Sequence, residues 1–266
     1  MKHVLILIAC LLSIDAAAQT NPLWVEQKVK NYLPHMTTSE VADLLRRSDI
    51  AIIPIGALEQ HGSHLPIGTD FINGIERCKL IAQERDVLVA PILLPGLSPY
   101  HMGFPGTITL SAETIVKVHI EAVESLIQHG FRRFIIANSH GGNKAIVSFL
   151  VDQINQTTRG VAVDLEEGIK PFRKIEARPA TTVLDRHAGT PETSNSLYLM
   201  PTLVQLNLAR ASTLKLPDHL KLSMQEMLKG DPTATTLLLA EGLKAVETGK
   251  RTSAAEMSAT GVWGER

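Results

Sequence analysis

Ile52-Ile53-Pro54-Ile55-Gly56 begins the stretch that decides the fold, and Glu59-Gln60-His61-Gly62 and Thr69-Asp70 complete it. The first residues are mostly β-branched and apolar, a composition that is typical of a buried strand. Two carboxylates and an imidazole follow closely, and soluble proteins seldom bury such groups without partners. The stretch therefore predicts a buried strand whose carboxyl end carries polar chemistry.

The spacing of these polar residues predicts half of a metal site. Glu59 and His61 stand two apart on extended backbone, so their side chains share a face while that of Gln60 points away. Glycines flank the turn 62–68 and let the chain fold back, which brings Asp70 towards the same point. Carboxylate and imidazole donors suit Zn, Mn or Fe. A simple pairing of Glu59 with His61 at a strand end is the alternative, and this stretch alone does not decide between them.

The composition predicts one soluble globular domain. The chain has 266 residues, of which 44% are hydrophobic, with a formal net charge of -1 and a pI near 6.8. A chain of this length can bury a full core. Because it has no basic excess to hold a nucleic-acid backbone, we expect no nucleic-acid partner.

The first residues have the pattern of an export signal. Lys2 precedes the apolar run 4–12, and the three alanines at 16–18 offer a signal-peptidase site before Gln19. We therefore expect residues 1–18 to be removed as a signal peptide and the protein to be periplasmic or secreted.

The apolar run is too short to span a bilayer, and no later segment approaches the roughly 20 apolar residues that a spanning helix needs. We expect no membrane span. Cys10 ends a lipoprotein-like box, so lipid anchoring at Cys10 is a lesser alternative. Residues 19–266 are expected to form a single domain, with Cys78 as its only cysteine and without a disulfide.

Strand and helix patterns alternate along the rest of the chain. Buried strands are predicted at residues 52–55, 87–92, 134–137 and 161–165. Helices are predicted at residues 39–47, 72–84, 111–130, 144–154 and 231–248, with a further helix-like run ending near residue 197. This alternation predicts an α/β fold, a three-layer sandwich around a mostly parallel sheet. Such sheets carry their sites beyond the carboxyl ends of the strands.

Three further segments carry candidate functional residues. The Pro- and Gly-rich loop 95–110 contains His101 and Phe104 and is expected to form a pocket wall, because long loops in compact domains tend to be functional. The turn 138–143 contains His140 and a Gly-Gly pair. Such a turn could also cradle a phosphate, but the spacing of a nucleotide-binding motif is missing. In the third segment, 185–194, Glu192 lies near a helix start, where a carboxylate is favoured for structural reasons alone.

Taken together, the motifs resemble the creatininase (creatinine amidohydrolase) family. They are EQHG with LPIGTD, then HMGFPGTITLS, then NSHGGN, then HAGTPETS, in that order across residues 52–200, with Thr260–Gly264 continuing the match. The chain is similar to members with a GGN version of the third motif. The resemblance implies an α/β sandwich, two divalent metal ions per chain, hydrolysis of a C–N bond other than a peptide bond, and commonly a homohexamer.

The resemblance also implies roles for individual residues. Glu59 and His140 correspond to ligands of one metal, His61 corresponds to a ligand of the other, and Asp70 corresponds to the carboxylate that bridges them. His187 corresponds to the histidine that assists proton transfer beside the metals. Candidate substrate-binding residues are His101, Phe104, Gly141, Gly142 and Asn143.

Two departures from creatininase proper bear on the site. Gly142 stands where creatininase proper has a glutamate ligand, and by resemblance to GGN-type members Glu192 takes over that ligand position. Residues 181–184 stand where creatininase proper has a tryptophan that shields its substrate, which argues against creatinine itself. We expect a small cyclic amide, lactam or formamide-type substrate. The alternatives are a metal-dependent peptidase of the same family and a non-catalytic exported protein that binds a small molecule.

Overall fold

Four parallel strands form the central sheet of the computed structural model, which describes residues 21, 26–172, 185–212, 214–216, 221, 247–249 and 253–264. They are β1 (Ile50–Ile55), β2 (Leu88–Val89), β3 (Arg133–Asn138) and β4 (Val161–Asp164), in the spatial order β2-β1-β3-β4. The pairing of β1 with β3 runs from Ile50 opposite Arg133 to Ile55 opposite Asn138. Because these two strands end side by side, the loops that follow them meet at the same edge.

Alternating side chains of the strands enter two separate cores. Ile53 and Ile136 pack on one face of the sheet, together with apolar residues of helices α3 (Ala112–His129) and α4 (Lys144–Thr157). Ile52 and Ala137 pack on the opposite face, with Cys78 of helix α2 (Thr69–Glu84). Both faces are covered, which confirms the predicted three-layer α/β architecture and explains the continuous apolar character of the strands.

Five of the seven α-helices in the described residues match helices predicted from the sequence, whereas those at 165–169 and 253–257 were not predicted. These seven helices are α1 (Thr38–Leu45), α2 (Thr69–Glu84), α3 (Ala112–His129), α4 (Lys144–Thr157), α5 (Leu165–Ile169), α6 (Thr190–Leu199) and α7 (Ser253–Met257). Helix α3 begins at the Ser111 cap, whose side chain accepts a hydrogen bond from the Thr114 amide, and it ends at Gly130 in the left-handed conformation.

Strand β2 is shorter than the predicted run 87–92. Pro91 has no amide hydrogen to donate, so the ladder cannot continue through it. The predicted signal peptide 1–18, the substrate-shielding position 181–184 and the predicted helix 231–248 lie outside the described residues. Among the described residues, no helix combines the length and apolar character that crossing a bilayer requires.

Candidate metal centre

Polar side chains converge where the loops after β1 and β3 meet the first turns of α2 and α6. Five of them are buried and the sixth, Glu192, keeps 31% of its side chain exposed. They are Glu59, His61, Asp70, His140, His187 and Glu192. The structure therefore brings together all six residues that the sequence predicts as metal ligands or as the proton-transfer histidine.

Close packing at the sheet edge holds Asp70 in this cluster. Asp70 lies in the first turn of α2, and its main-chain oxygen accepts a hydrogen bond of 2.7 Å from the Ser139 hydroxyl in the loop after β3. A Cβ atom on Gly56 would lie 2.8 Å from the same oxygen, so the loop after β1 approaches α2 only because residue 56 is a glycine.

Helix α6 brings the last carboxylate to the cluster. Asn73 of α2 donates to the Ser196 hydroxyl of α6 at 3.3 Å, and both residues are buried. Ala188, whose φ is 52°, turns its amide towards Glu192 and donates to Oε2 at 2.6 Å. The Glu192 carboxylate therefore satisfies an amide just before its own helix and still faces His61, so its structural role and a ligand role are compatible.

The first group of possible metal ligands consists of Glu59, Asp70 and His140. Nδ1 of His140 lies 3.3 Å from Oε1 of Glu59 and 3.1 Å from Oδ2 of Asp70. The other ring nitrogen of His140, Nε2, lies 3.0 Å from the main-chain oxygen of Leu97, which can only accept. Nε2 therefore carries a proton, and Nδ1 is the nitrogen left to bind a metal. Burial lowers the pKa of His140, but the Glu59 and Asp70 carboxylates raise it well above its usual value, so a metal at Nδ1 would replace a proton there.

The second group consists of His61, Asp70 and Glu192. Nε2 of His61 lies 3.4 Å from Oδ1 of Asp70 and 3.6 Å from Oε2 of Glu192. Nδ1 of His61 donates to the main-chain oxygen of Glu59 at 3.1 Å, so Nε2 is the nitrogen whose lone pair a metal could take when the ring is neutral. The two groups share Asp70, with one of its oxygens facing each histidine.

Charge inside the cluster calls for a cation. Burial lowers the pKa of His61, but the Asp70 carboxylate opposes it and raises the pKa to about 10. Burial, and the nearby Asp70 carboxylate, raise the pKa of Glu192 to about 7, although the opposing charge of His61 lowers it. Three carboxylates so close together are stable only with positive charge between them.

Several ligand atoms have no hydrogen-bond partner. Oε2 of Glu59, Nε2 of His61 and Oδ2 of Asp70 are buried and accept no hydrogen bond. Unpartnered buried polar atoms are costly in a folded protein. Divalent ions coordinated by these oxygens and nitrogens would satisfy them, and Zn, Mn and Fe all accept such mixed donors. The residues therefore fit the metals that the sequence predicts.

His187 lies beside both groups. Its Nδ1 is 3.6 Å from Oε1 of Glu59, and its ring centroid is 4.4 Å from that of His61. Burial and the neighbouring His61 lower the pKa of His187 well below its usual value, so the ring is neutral. Glu59, His61 and His187 could also hold an ion as a third group of ligands. The catalytic role of His187 therefore stays a prediction, and a role as a metal ligand is the alternative.

The predicted substrate-binding residues occupy different positions. His101 is buried, with Nε2 3.7 Å from Oε1 of Glu59, while Phe104 is half-buried on the same loop. The fully buried side chain of Asn143 accepts from the Leu97 amide at 3.0 Å and donates to the Gly56 carbonyl at 2.9 Å. Asn143 therefore holds two loops of the site together, and contact with a substrate stays a prediction.

The Gly141-Gly142 turn is asymmetric. A Cβ atom on Gly142 would overlap the Tyr100 hydroxyl and lie 2.5 Å from Nε2 of His140, whereas nothing lies within 4 Å of one on Gly141. The missing side chain at position 142 therefore leaves room for the hydrogen bonds that orient His140.

The structure adds residues that the sequence analysis did not assign. The interpretation of Gln60 as pointing away is corrected, because its buried side chain contacts His101 and His187. Trp263 packs beside the same two histidines, with centroid separations of 5.6 and 5.8 Å. Trp263 belongs to the Thr260–Gly264 motif, which continues the resemblance to the family but by itself indicates no role for the residue.

Comparison with known proteins connects this geometry to one family. The model of the creatininase (creatinine amidohydrolase) family matches residues 34–266. The chain is 30% identical over 186 residues to 3-dehydro-scyllo-inosose hydrolase of Thermotoga maritima, covering 66% of this chain and 58% of that protein. It is 29% identical over 170 residues to the mycofactocin precursor peptide peptidase of Mycolicibacterium smegmatis, covering 62% of this chain and 63% of that protein. Each of these two alignments covers less than two thirds of the length of the relative.

Solved structures agree with the fold. A mutant creatininase superposes with a TM-score of 0.63 at 21% identity, and the alignment covers 88% of each chain. Another mutant creatininase, described as the Zn-Zn type, superposes with a TM-score of 0.58 at 25% identity over 71% of this chain and 80% of that chain.

Proposed function

Because the chain belongs to the creatininase family, we propose that it is a metal-dependent hydrolase that uses two divalent ions to cleave a C–N bond. The proposed substrate class is a small cyclic amide, lactam or formamide-type compound. The observation that carries the proposal is the pair of three-residue ligand groups that share Asp70. A carboxylate that belongs to two ligand groups could serve two neighbouring ions.

The proposal assigns Glu59 and His140 to one ion, His61 and Glu192 to the other, and Asp70 to both. Zn, Mn or Fe would suit these donors. When bound, two such ions supply Lewis-acid activation of a water and of the substrate carbonyl.

His187 is proposed to move the proton. Its Nε2 lies 2.7 Å from the main-chain oxygen of Gln60, so the proton of the neutral ring is on Nε2. Nδ1 is then free to accept a proton from the attacking water and to return it to the leaving nitrogen. Its position 3.6 Å from Oε1 of Glu59 supports a role at the cluster itself.

We propose that buried rings form one wall of the substrate site. His101 and Trp263 are buried against His187 on that side of the cluster. Phe104 and the exposed Gly141 belong to loops at the rim, where we propose that they contact the substrate together with Gly142.

Peptide hydrolysis is the second candidate function. Its support is the similarity to the mycofactocin precursor peptide peptidase, which has an identity close to that of the first relative. A non-catalytic binder is less well supported, because His187 lies 3.6 Å from Oε1 of Glu59, where its ring could move a proton.

Export and assembly complete the proposal. We propose that the protein is exported to the periplasm or secreted, on the evidence of the apolar run 4–12 and the alanines at 16–18. Assembly into a homo-oligomer, as a hexamer, rests on the family resemblance. Cell fractionation and light scattering of the purified protein test these two statements separately.

An activity screen tests the hydrolase proposal. The zinc- or manganese-loaded protein is incubated with lactams, hydantoin-like rings, formamides and short peptides, with Asp70→Asn as the matched inactive control. We expect hydrolysis in one non-peptide class that chelation abolishes and metal restores. Hydrolysis of peptides alone would favour the second candidate, and metal uptake without hydrolysis in any class would favour a binder.

A further inference from the structure

We propose that Gln60 is a positioning residue whose side-chain amide sets the tautomer of His101 and whose main-chain carbonyl sets that of His187. The expected effect on turnover rests on the proposed hydrolase function. The assignment of the two tautomers rests on hydrogen bonds alone. Gln60 lies between two proposed metal ligands in the chain and is 4% exposed.

Main-chain partners fix the orientation of the Gln60 amide. Oε1 lies 3.0 Å from the amide of Gly62, which can only donate. Nε2 lies 3.1 Å from the carbonyl of Gly261, which can only accept. An amide turned by 180° would lose both bonds, so the positions of its oxygen and nitrogen are determined.

The second hydrogen of the Gln60 amide goes to His101. Nε2 of Gln60 lies 2.8 Å from Nδ1 of His101 and 3.0 Å from Nε2 of His187. Nε2 of His187 already donates to the main-chain oxygen of Gln60 at 2.7 Å, so it cannot accept. Nδ1 of His101 is therefore the acceptor, and the proton of its neutral ring is on Nε2.

Each tautomer has a consequence at Glu59. Nε2–H of His101 faces Oε1 of Glu59 at 3.7 Å, beyond a direct hydrogen bond, so the positive end of this N–H group favours the charge of the proposed ligand. Nδ1 of His187 faces the same oxygen at 3.6 Å with a lone pair that can take a proton. Mutation of residues that support a metal ligand typically lowers metal affinity or activity by about 10-fold to 100-fold.

The C-terminal motif completes the arrangement. Gly261 has a φ of 77°, and a Cβ atom there would overlap the Gln60 side chain. The glycine allows its carbonyl to reach the amide, so the Thr260–Gly264 segment holds Gln60 from the side opposite His101.

Two substitutions separate the two contacts. In Gln60→Glu a carboxylate oxygen replaces the donor, so Nδ1 of His101 must carry a proton to donate to it. In Gln60→Met the donor is absent and the tautomer of His101 is no longer fixed. Both variants keep the main-chain carbonyl, so His187 should keep its proton on Nε2. Gln83→Glu, on the exposed surface of α2, is the matched control for the added charge.

The test is ring-nitrogen NMR of the full chain loaded with zinc, which is diamagnetic, and of the metal-free chain. We expect both rings to be protonated on Nε2 and not on Nδ1 in wild type, and His101, but not His187, to gain a proton on Nδ1 in Gln60→Glu. With metal content kept, turnover of the substrate found in the screen should fall about 10-fold or more in both variants, and not in Gln83→Glu.

An unchanged His101 tautomer in Gln60→Glu would overturn the inference, and so would normal turnover in Gln60→Met. If Gln60→Glu does not fold, Gln60→Met carries the test by itself. The tautomers are measured without substrate, so this test does not depend on the proposed hydrolase function. That function fails separately if wild-type protein binds no zinc or hydrolyses none of the compounds in the screen.

Discussion

Oε2 of Glu192 lies 3.6 Å from Nε2 of His61, a ring nitrogen that has no hydrogen-bond partner. The same oxygen accepts the amide of Ala188 at 2.6 Å. The carboxylate therefore combines a structural contact at the start of α6 with a position suited to a metal ligand, and substitution can separate the two roles.

Glu192→Gln should weaken one of the two metals selectively. A neutral amide keeps the shape of the side chain and one oxygen but loses the charge. The other ion should stay on Glu59, Asp70 and His140. Metal titration of the purified variant measures the two affinities.

Glu113→Gln is the control for this variant, because Glu113 is an exposed first-turn carboxylate of α3 outside the cluster. If Glu192 acts only as such a carboxylate, both variants should lose at most about 1 kcal/mol of stability and bind both metals normally. Two sites of wild-type affinity in Glu192→Gln would reject its assignment as a ligand.

His187→Ala should keep both metals and lose roughly 100-fold or more in turnover, the usual contribution of a positioned acid or base. The measurements are metal content and steady-state kinetics on the same preparation. A variant that loses an ion would make His187 a ligand, together with Glu59 and His61. Unchanged turnover would remove His187 from the mechanism.

Gly142→Ala should weaken the metal held by Glu59, Asp70 and His140. The added Cβ atom would overlap the Tyr100 hydroxyl and press on Nε2 of His140, so the ring must shift. We expect a loss of about 10-fold to 100-fold in affinity for that ion, as for other changes behind a metal ligand.

Gly141→Ala is the matched control, because nothing lies within 4 Å of a Cβ atom at that position. It should bind both ions as wild type does. Equal metal binding in the two variants would show that the contacts of Gly142 do not support His140.

The fold is largely predictable from sequence because its signals are local. Apolar runs such as 52–55 and 134–137 predict buried strands, and the Ser111 cap and Gly130 mark the ends of a helix. Their alternation predicts the parallel sheet, and the sheet in turn places the loops that carry Glu59 and His140 side by side. The apolar run 87–92 overestimates the length of β2, and Pro91 within that run is the local signal for the shorter strand.

Parts of the site depend on contacts that no local pattern records. The approach of Glu192 to His61 requires α6 to pack on α2 through Asn73 and Ser196. Gln60 was interpreted with the alternation of a strand, but β1 ends at Ile55 and the chain then follows a loop. Its side chain therefore lies against His101, on a segment distant in sequence.

The metal content of wild-type protein and of Asp70→Ala tests the central claim most directly, because Asp70 is the residue that the two ligand groups share. After loading with Zn or Mn and removal of free metal, elemental analysis should give close to two ions per wild-type chain and close to none in folded Asp70→Ala. Wild-type protein with no bound metal after loading, or Asp70→Ala with two ions of normal affinity, would contradict the proposed dinuclear centre.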